Sequence, residues 1–152
     1  QVLVTKKKDH INNFNDMAGK RLGVQNGSTG AMALDEDPKM LKDKIKNHKA
    51  VLYDTFPDAF IDLNAGRIQG ILMDEVYADY YIKHQKDSSA YRVYSDPQMP
   101  QDYFAVGMRK GDKTLQKKVN EGLARLQKNG ELRQINKKWF GVSSNYLGPV
   151  KK

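Results

Sequence analysis

The stretch Arg21-Leu22-Gly23-Val24-Gln25-Asn26-Gly27-Ser28-Thr29-Gly30 reads as a short apolar strand, a turn rich in glycine and hydroxyls, and the opening of a helix. The same order recurs twice downstream. Ala50-Val51-Leu52-Tyr53 is a second strand, after which Asp54 or Thr55 caps a helix that carries Pro57 in its first turn and stops at Gly66. Gln69-Gly70-Ile71-Leu72-Met73 is a third strand ending on Asp74, and a helix over residues 75–84 follows it. In that helix Val76, Tyr80 and Tyr81 are spaced as a buried stripe. The first helix runs towards Ile45, with Pro38 interrupting it or starting a second one. Tyr91 to Tyr94 is a further strand. Strands alternating with helices at this spacing predict an α/β fold: a parallel-type sheet, right-handed crossovers and flanking helices.

The pattern changes on either side of this core. Gln1 to Thr5 reads as a strand with nothing before it. After Asp96-Pro97-Gln98-Met99-Pro100, residues 103–108 read as another strand. Asp112 then caps a long helix with Leu115, Val119, Leu123 and Leu126 on one face, ending at Gly130. A last short helix carries Leu132, Ile135 and Trp139, with Trp139 as its core anchor, and stops at Gly141. Two short flanks around a βαβαβα core predict a two-lobed protein whose chain crosses between lobes twice. Residues 9–101 form one lobe, residues 1–8 and 102–141 supply crossover strands and part of a truncated second lobe, and residues 142–152 are a tail.

Composition narrows the functions available. The chain has 152 residues, enough for a domain with its own core, and 29% of them are charged. The net charge of +8 falls entirely on residues 102–152, which hold 12 Lys or Arg against 4 Asp or Glu; residues 1–101 hold 14 of each. Those charges read as the solvated faces of amphipathic helices, and no nucleic-acid partner is expected. The absence of cysteine excludes disulfides, thiol catalysis and cysteine-based metal sites. No apolar run approaches the roughly 18 residues of a membrane span, and no signal-peptide pattern opens the chain. His10, His48 and His84 are scattered through polar stretches and read as solvated, so neither a catalytic triad nor a metal cluster is suggested.

Ligands of open parallel sheets bind beyond the carboxyl ends of the strands. That rule selects Gln25 with Gly27-Ser28-Thr29-Gly30, Tyr53-Asp54-Thr55, and Asp74-Glu75. Free N–H groups at a helix start, with the Ser28 and Thr29 hydroxyls, suit a carboxylate or phosphate; the same turn reads equally as an ordinary helix cap. Asp74 suits an ammonium group, or else caps the helix that follows. Asp54 and Thr55 read as caps. An anion site beside a carboxylate suits a zwitterion. The turn lacks the Lys-Ser/Thr pair of a P-loop and the glycine spacing of a dinucleotide fingerprint.

Taken in order, these segments resemble a known family. Residues 16–30, the run Asn64-Ala65-Gly66-Arg67-Ile68-Gln69-Gly70, Met73-Asp74, Tyr80-Tyr81-Ile82, residues 103–111, Asn129-Gly130-Glu131-Leu132 and Trp139-Phe140-Gly141 are similar to the amino-acid-binding (family 3) solute-binding proteins of ABC importers. The resemblance implies a periplasmic-binding-protein-like fold in which two lobes close on an amino acid. It implies that Ser28 and Thr29 hold the α-carboxylate, that Asp74 binds the α-ammonium, and that Gln25 lines the side-chain pocket with Gly30 nearby. The crossovers would lie at residues 4–6 and 98–101. It further implies a non-catalytic protein without a cofactor, an extracytoplasmic location (periplasmic, or as a cell-surface lipoprotein) and the membrane permease of an ABC importer as partner. An extracytoplasmic sensor domain is the alternative. Two departures stand out: Gln69 replaces the usual Asp of the Gly-Arg-Ile-Asp segment, and none of Arg21, Arg67, Arg92, Arg109, Arg125 or Arg133 has the context of the family's carboxylate-clamping arginine. The chain alone is therefore expected to bind free amino acids weakly or not at all.

Overall fold

A five-stranded mixed sheet organises the first of two units in the computed structural model, which describes residues 1–99 and 103–141. The strands are β1 (Val2–Lys6), β2 (Leu22–Gln25), β3 (Val51–Tyr53), β4 (Gly70–Met73) and β5 (Tyr91–Tyr94), in the spatial order β3-β2-β4-β1-β5. The helices between them are α1 (Thr29–Glu36), α2 (Phe56–Asn64) and α3 (Glu75–Lys83). β2 runs parallel to both β3 and β4, in keeping with the strand–helix–strand reading. The exception is β1, which lies antiparallel between β4 and β5.

The place of β1 corrects the expected boundary at residue 9. Residues 2–5 are buried on both faces of this sheet, and the unit extends from Gln1 to Gln101. The physical reason is the period of the strand. Val2 and Val4 join Ile71, Met73, Phe60, Leu63 and Ala59 beneath α2 and α3, while Leu3 joins Leu72, Leu22, Val24, Leu34 and Met17 on the side of α1. The one polar residue in that run, Thr5, donates its hydroxyl to the Ile11 carbonyl at 3.3 Å.

The caps follow the sequence closely. Ser28, Thr55 and Asp74 each accept a hydrogen bond from a backbone N–H in the first turn of α1, α2 and α3, so Thr55 rather than Asp54 caps α2. α1 ends before Asp37, whose backbone leaves the helical region ahead of Pro38, and residues 39–45 form turns instead of helix. The buried side of α3 is Ala78, with Tyr77, Tyr81 and Ile82 packed beside it, rather than Val76 and Tyr80, which are exposed. Tyr81 stacks on Phe60 with ring centroids 4.0 Å apart, and Tyr91 meets Phe60 edge-on at 5.8 Å. That cluster is what fastens α2 and α3 to the sheet.

The second unit begins at Asp102. It holds α4 (Lys113–Lys128), capped by Asp112, and α5 (Glu131–Phe140), with Gly130 in the left-handed region between them. Residues 103–108, expected as a strand, are irregular, because among the described residues of this unit there is no strand for them to pair with. Phe104 is 77% exposed. Trp139, expected as a core anchor, is 47% exposed, and neither helix has a buried residue. The expected tail, residues 142–152, lies outside the described residues, as do residues 100 and 101 of the second expected crossover. None of the described helices is long and apolar enough to cross a membrane.

Two measurements test this account. Phe60→Ala removes a fully buried ring from the centre of the aromatic cluster and is expected to cost about 3–5 kcal/mol in urea denaturation. The second concerns Asp62, which accepts from Arg67 Nε at 2.7 Å and from the Tyr53 hydroxyl at 2.7 Å. The Arg67 hydrogen bond first, and the Tyr53 hydroxyl second, hold the Asp62 carboxyl below its ordinary value. Its stabilising contribution is therefore complete above the usual carboxylate range and is lost as pH falls through the depressed value. Asp62→Asn should lower the urea midpoint at neutral pH and flatten the acid limb of stability against pH.

Candidate functional site

The strand register brings the sequence candidates to one edge of the sheet. Gly23 lies opposite Ile71 on β4 and Gln25 opposite Tyr53 on β3, so the carboxyl ends of β2, β3 and β4 finish side by side. Gln25 Nε2 donates to the Asp54 carbonyl at 2.9 Å, and Asn26 N–H donates to the Tyr53 carbonyl at 2.8 Å, tying the first two strand ends together. Gly30 does the same for the first and third. A Cβ on this residue would lie 3.1 Å from the Leu72 carbonyl oxygen and 3.0 Å from Gln1 Oε1, so a side chain here would push the start of α1 off the end of β4 by a few tenths of an ångström.

Gln1 is the member of this edge that sequence reasoning missed. Pairing of Val2 with Met73 places Gln1 beside the end of β4, where its Nε2 donates to Thr29 Oγ1 at 2.9 Å. No local signal could have shown this, because it depends on β1 running antiparallel into the sheet. The end of β5 shares the edge: Leu3 is opposite Tyr94, its last residue.

The polar groups divide into two kinds. At the start of α1, Ala31 N–H is taken by Ser28 Oγ at 3.2 Å and Met32 N–H by the Ser28 carbonyl. Among the described residues, the N–H groups of Thr29 and Gly30 have no acceptor, and the Ser28 and Thr29 hydroxyl hydrogens are likewise uncommitted. Four donors at a positive helix end can serve an anion. On the next strand end, Asp74 Oδ1 accepts from Tyr77 N–H at 2.9 Å, which leaves Oδ2 without a partner among the described residues. Asp74 is thus both a helix cap and an available carboxylate oxygen. Ser28 and Asp74 carry the cap that their sequence context suggested, and each keeps capacity to spare.

The arginines of this unit lie elsewhere. Arg21 precedes β2 and donates to the Arg67 carbonyl, Arg67 precedes β4 and pairs with Asp62, and Arg92 lies opposite Thr5, towards the far end of β1. Within the unit, therefore, no guanidinium completes the anion site. Two concavities, of about 820 and 330 Å³, are lined by other residues, and the candidate site is an open edge. His10, His48 and His84 are all exposed. Among the described residues there is no group of three or more metal-ligating side chains.

Comparison with known proteins bears directly on this arrangement. Residues 1–142 match the family of bacterial extracellular solute-binding proteins, family 3. The chain belongs to this family. The ABC transporter arginine-binding protein 1 of Escherichia coli is 32% identical over 91% of this chain, and the L-cystine-binding protein TcyJ of the same organism is 31% identical over 93%. Among solved structures, a substrate-binding protein of an ABC uptake transporter from Streptococcus pneumoniae with bound histidine is 44% identical, with a TM-score of 0.81 over 93% of this chain and 57% of its own. A polar amino acid ABC uptake transporter substrate-binding protein from Streptococcus thermophilus is 51% identical, with a TM-score of 0.70 over 93% of this chain and 53% of its own. The chain spans about half the length of the curated relatives it matches. Its fold is thus that of the periplasmic-binding-protein-like amino-acid binders.

The double role of the caps gives a stability prediction. Ser28→Ala and Asp74→Ala should each cost about 1 kcal/mol in denaturant melts, whereas Asp74→Asn, which keeps a good capping oxygen, should cost a few tenths or less.

Proposed function

We propose that this chain supplies the lobe on which an amino acid docks before import, without any chemical step. In this reading the α-carboxylate is held by the Thr29 and Gly30 N–H groups and the Ser28 and Thr29 hydroxyls. The α-ammonium is held by Asp74, and Gln25 borders the side chain. The observation that carries the reading is the contact of Gly30 with the Leu72 carbonyl, which sets the uncommitted donors of α1 beside the strand that ends on Asp74. A zwitterion needs both kinds of group within the span of its own two charges, and the adjacent strands β2 and β4, with the usual spacing of about 4.8 Å, bring both kinds to one edge.

The other half of the site is contributed by a second lobe that closes over this edge. One feature supports it: the unit holds no arginine at the edge where the ligand docks. Family membership and the ligands in the names of its relatives support an amino acid as cargo, an ABC permease as the receiving partner and an extracytoplasmic site of action. Gln25, a neutral amide, favours a polar uncharged or small side chain.

The charge of Asp74 separates capping from binding. In a protein carrying both lobes, calorimetry should show Asp74→Asn weakening amino-acid affinity at least about tenfold, or about 1.4 kcal/mol, with an unchanged melting temperature. N-acetylated amino acids, which lack the ammonium, should not distinguish the variant from the parent. Unaltered affinity for the free amino acid in Asp74→Asn would refute the ammonium assignment. The chain by itself should show no micromolar amino-acid binding.

A further inference from the structure

At the opposite end of the sheet lies a concavity of about 820 Å³ with a different character. Lys6, Lys7, Lys8 and Lys86 line it together with Asn64 and Tyr91, and Asp87 is its only carboxylate. It is assembled by the register of β1: Thr5 faces Gly70, the first residue of β4, and Lys6 faces Tyr91, the first residue of β5. Nothing that binds here meets the amino-acid edge.

Part of this site is held in place. Lys6 Nζ lies 4.0 Å from the centre of the Tyr91 ring and donates to Asn64 Oδ1 at 3.2 Å. The Tyr91 hydroxyl donates to the same Asn64 oxygen at 2.7 Å. Two donors on Oδ1 fix the amide, so that Nδ2 with its two hydrogens is turned away from both. Around this fixed base, Lys7, Lys8 and Lys86 make no ion pair among the described residues. Asp87 is already the acceptor of the Ser89 hydroxyl at 2.8 Å. Four lysines lining one hollow, with a single, already engaged carboxylate among them, raise the local potential and favour an anion. Lysine ammoniums act as point charges suited to phosphoryl oxygens. The volume exceeds what a lone carboxylate needs and falls in the range of small-molecule sites, about 300–1,000 Å³.

We propose that this hollow binds a phosphate-bearing anion, either a free phosphate ester or diphosphate or the headgroup of an anionic phospholipid. The site is independent of the amino-acid reading and can be occupied whether or not an amino acid is bound.

Calorimetry of the full chain with inorganic pyrophosphate, and sedimentation with phosphatidylglycerol or phosphatidylcholine vesicles, test it. The triple variant Lys7→Gln/Lys8→Gln/Lys86→Gln is compared with Lys39→Gln/Lys46→Gln/Lys49→Gln, which removes the same charge from exposed positions outside the hollow. Asn64→Asp keeps the oxygen that Lys6 and Tyr91 bond while placing a carboxylate at the site. The expected result is saturable pyrophosphate binding that falls roughly tenfold or more in the first triple and in Asn64→Asp, and less than about twofold in the second triple. Binding confined to phosphatidylglycerol vesicles, with the same dependence on the variants, would identify the lipid headgroup as the source. No binding to either probe, or equal loss in both triples, would overturn the proposal.

Discussion

The antiparallel insertion of β1 between β4 and β5 is the constraint on which the first unit depends. With residues 2–5 buried on both faces, that strand separates the two hydrophobic layers, one under α2 and α3 and one on the side of α1. It also sets what stands at each end of the sheet. The residue just before it, Gln1, meets the start of α1, and its last residue meets the start of β5. An uncommitted set of donors therefore collects at one end and a group of lysines at the other. A strand inserted in the parallel sense would exchange Gln1 and Lys6 between the two ends.

The caps show how a residue committed to the fold can keep hydrogen-bonding capacity in reserve. A helix starting directly after a strand needs an acceptor for its first N–H groups, and Ser28, Thr55 and Asp74 provide one. Each such acceptor has only part of its hydrogen-bonding capacity consumed. A carboxylate has two oxygens, and Asp74 spends one; a hydroxyl both accepts and donates, and Ser28 accepts. Capping at Ser28 and Asp74 therefore leaves atoms over for a further contact.

The two units differ in what they can bury alone. In the first, Phe60, Leu63, Ile71 and Leu72 are fully enclosed. In the second, the apolar face of α4 and the ring of Trp139 find no second layer among the described residues, and the segment before α4 finds no neighbouring strand. A helix stripe or a strand is a statement about a partner as much as about the segment itself. That is why 103–108 and Trp139 departed from their sequence reading while β2, β4 and α2 did not.

Local chemistry was sufficient for much of this protein. The short apolar runs, the capping residues and Gly66 locate β2, β3, β4, α2 and α3 within a residue or two, because each of those signals acts over one turn or one strand, whereas α1 stops at Glu36 well short of Ile45. The candidate residues Gln25, Ser28, Thr29, Gly30 and Asp74 were legible for the same reason: each lies at or just beyond the end of a strand. What only the tertiary structure decided is long-range pairing. That β1 runs antiparallel inside the sheet, that Gln1 reaches Thr29, that Gly30 rests on the Leu72 carbonyl, and that Lys6, Asn64 and Tyr91 share one hydrogen-bonded corner all join residues far apart in the chain. Sheet hydrogen bonds are made by backbone groups that every residue carries, so the sequence states that a strand will pair but not with which neighbour.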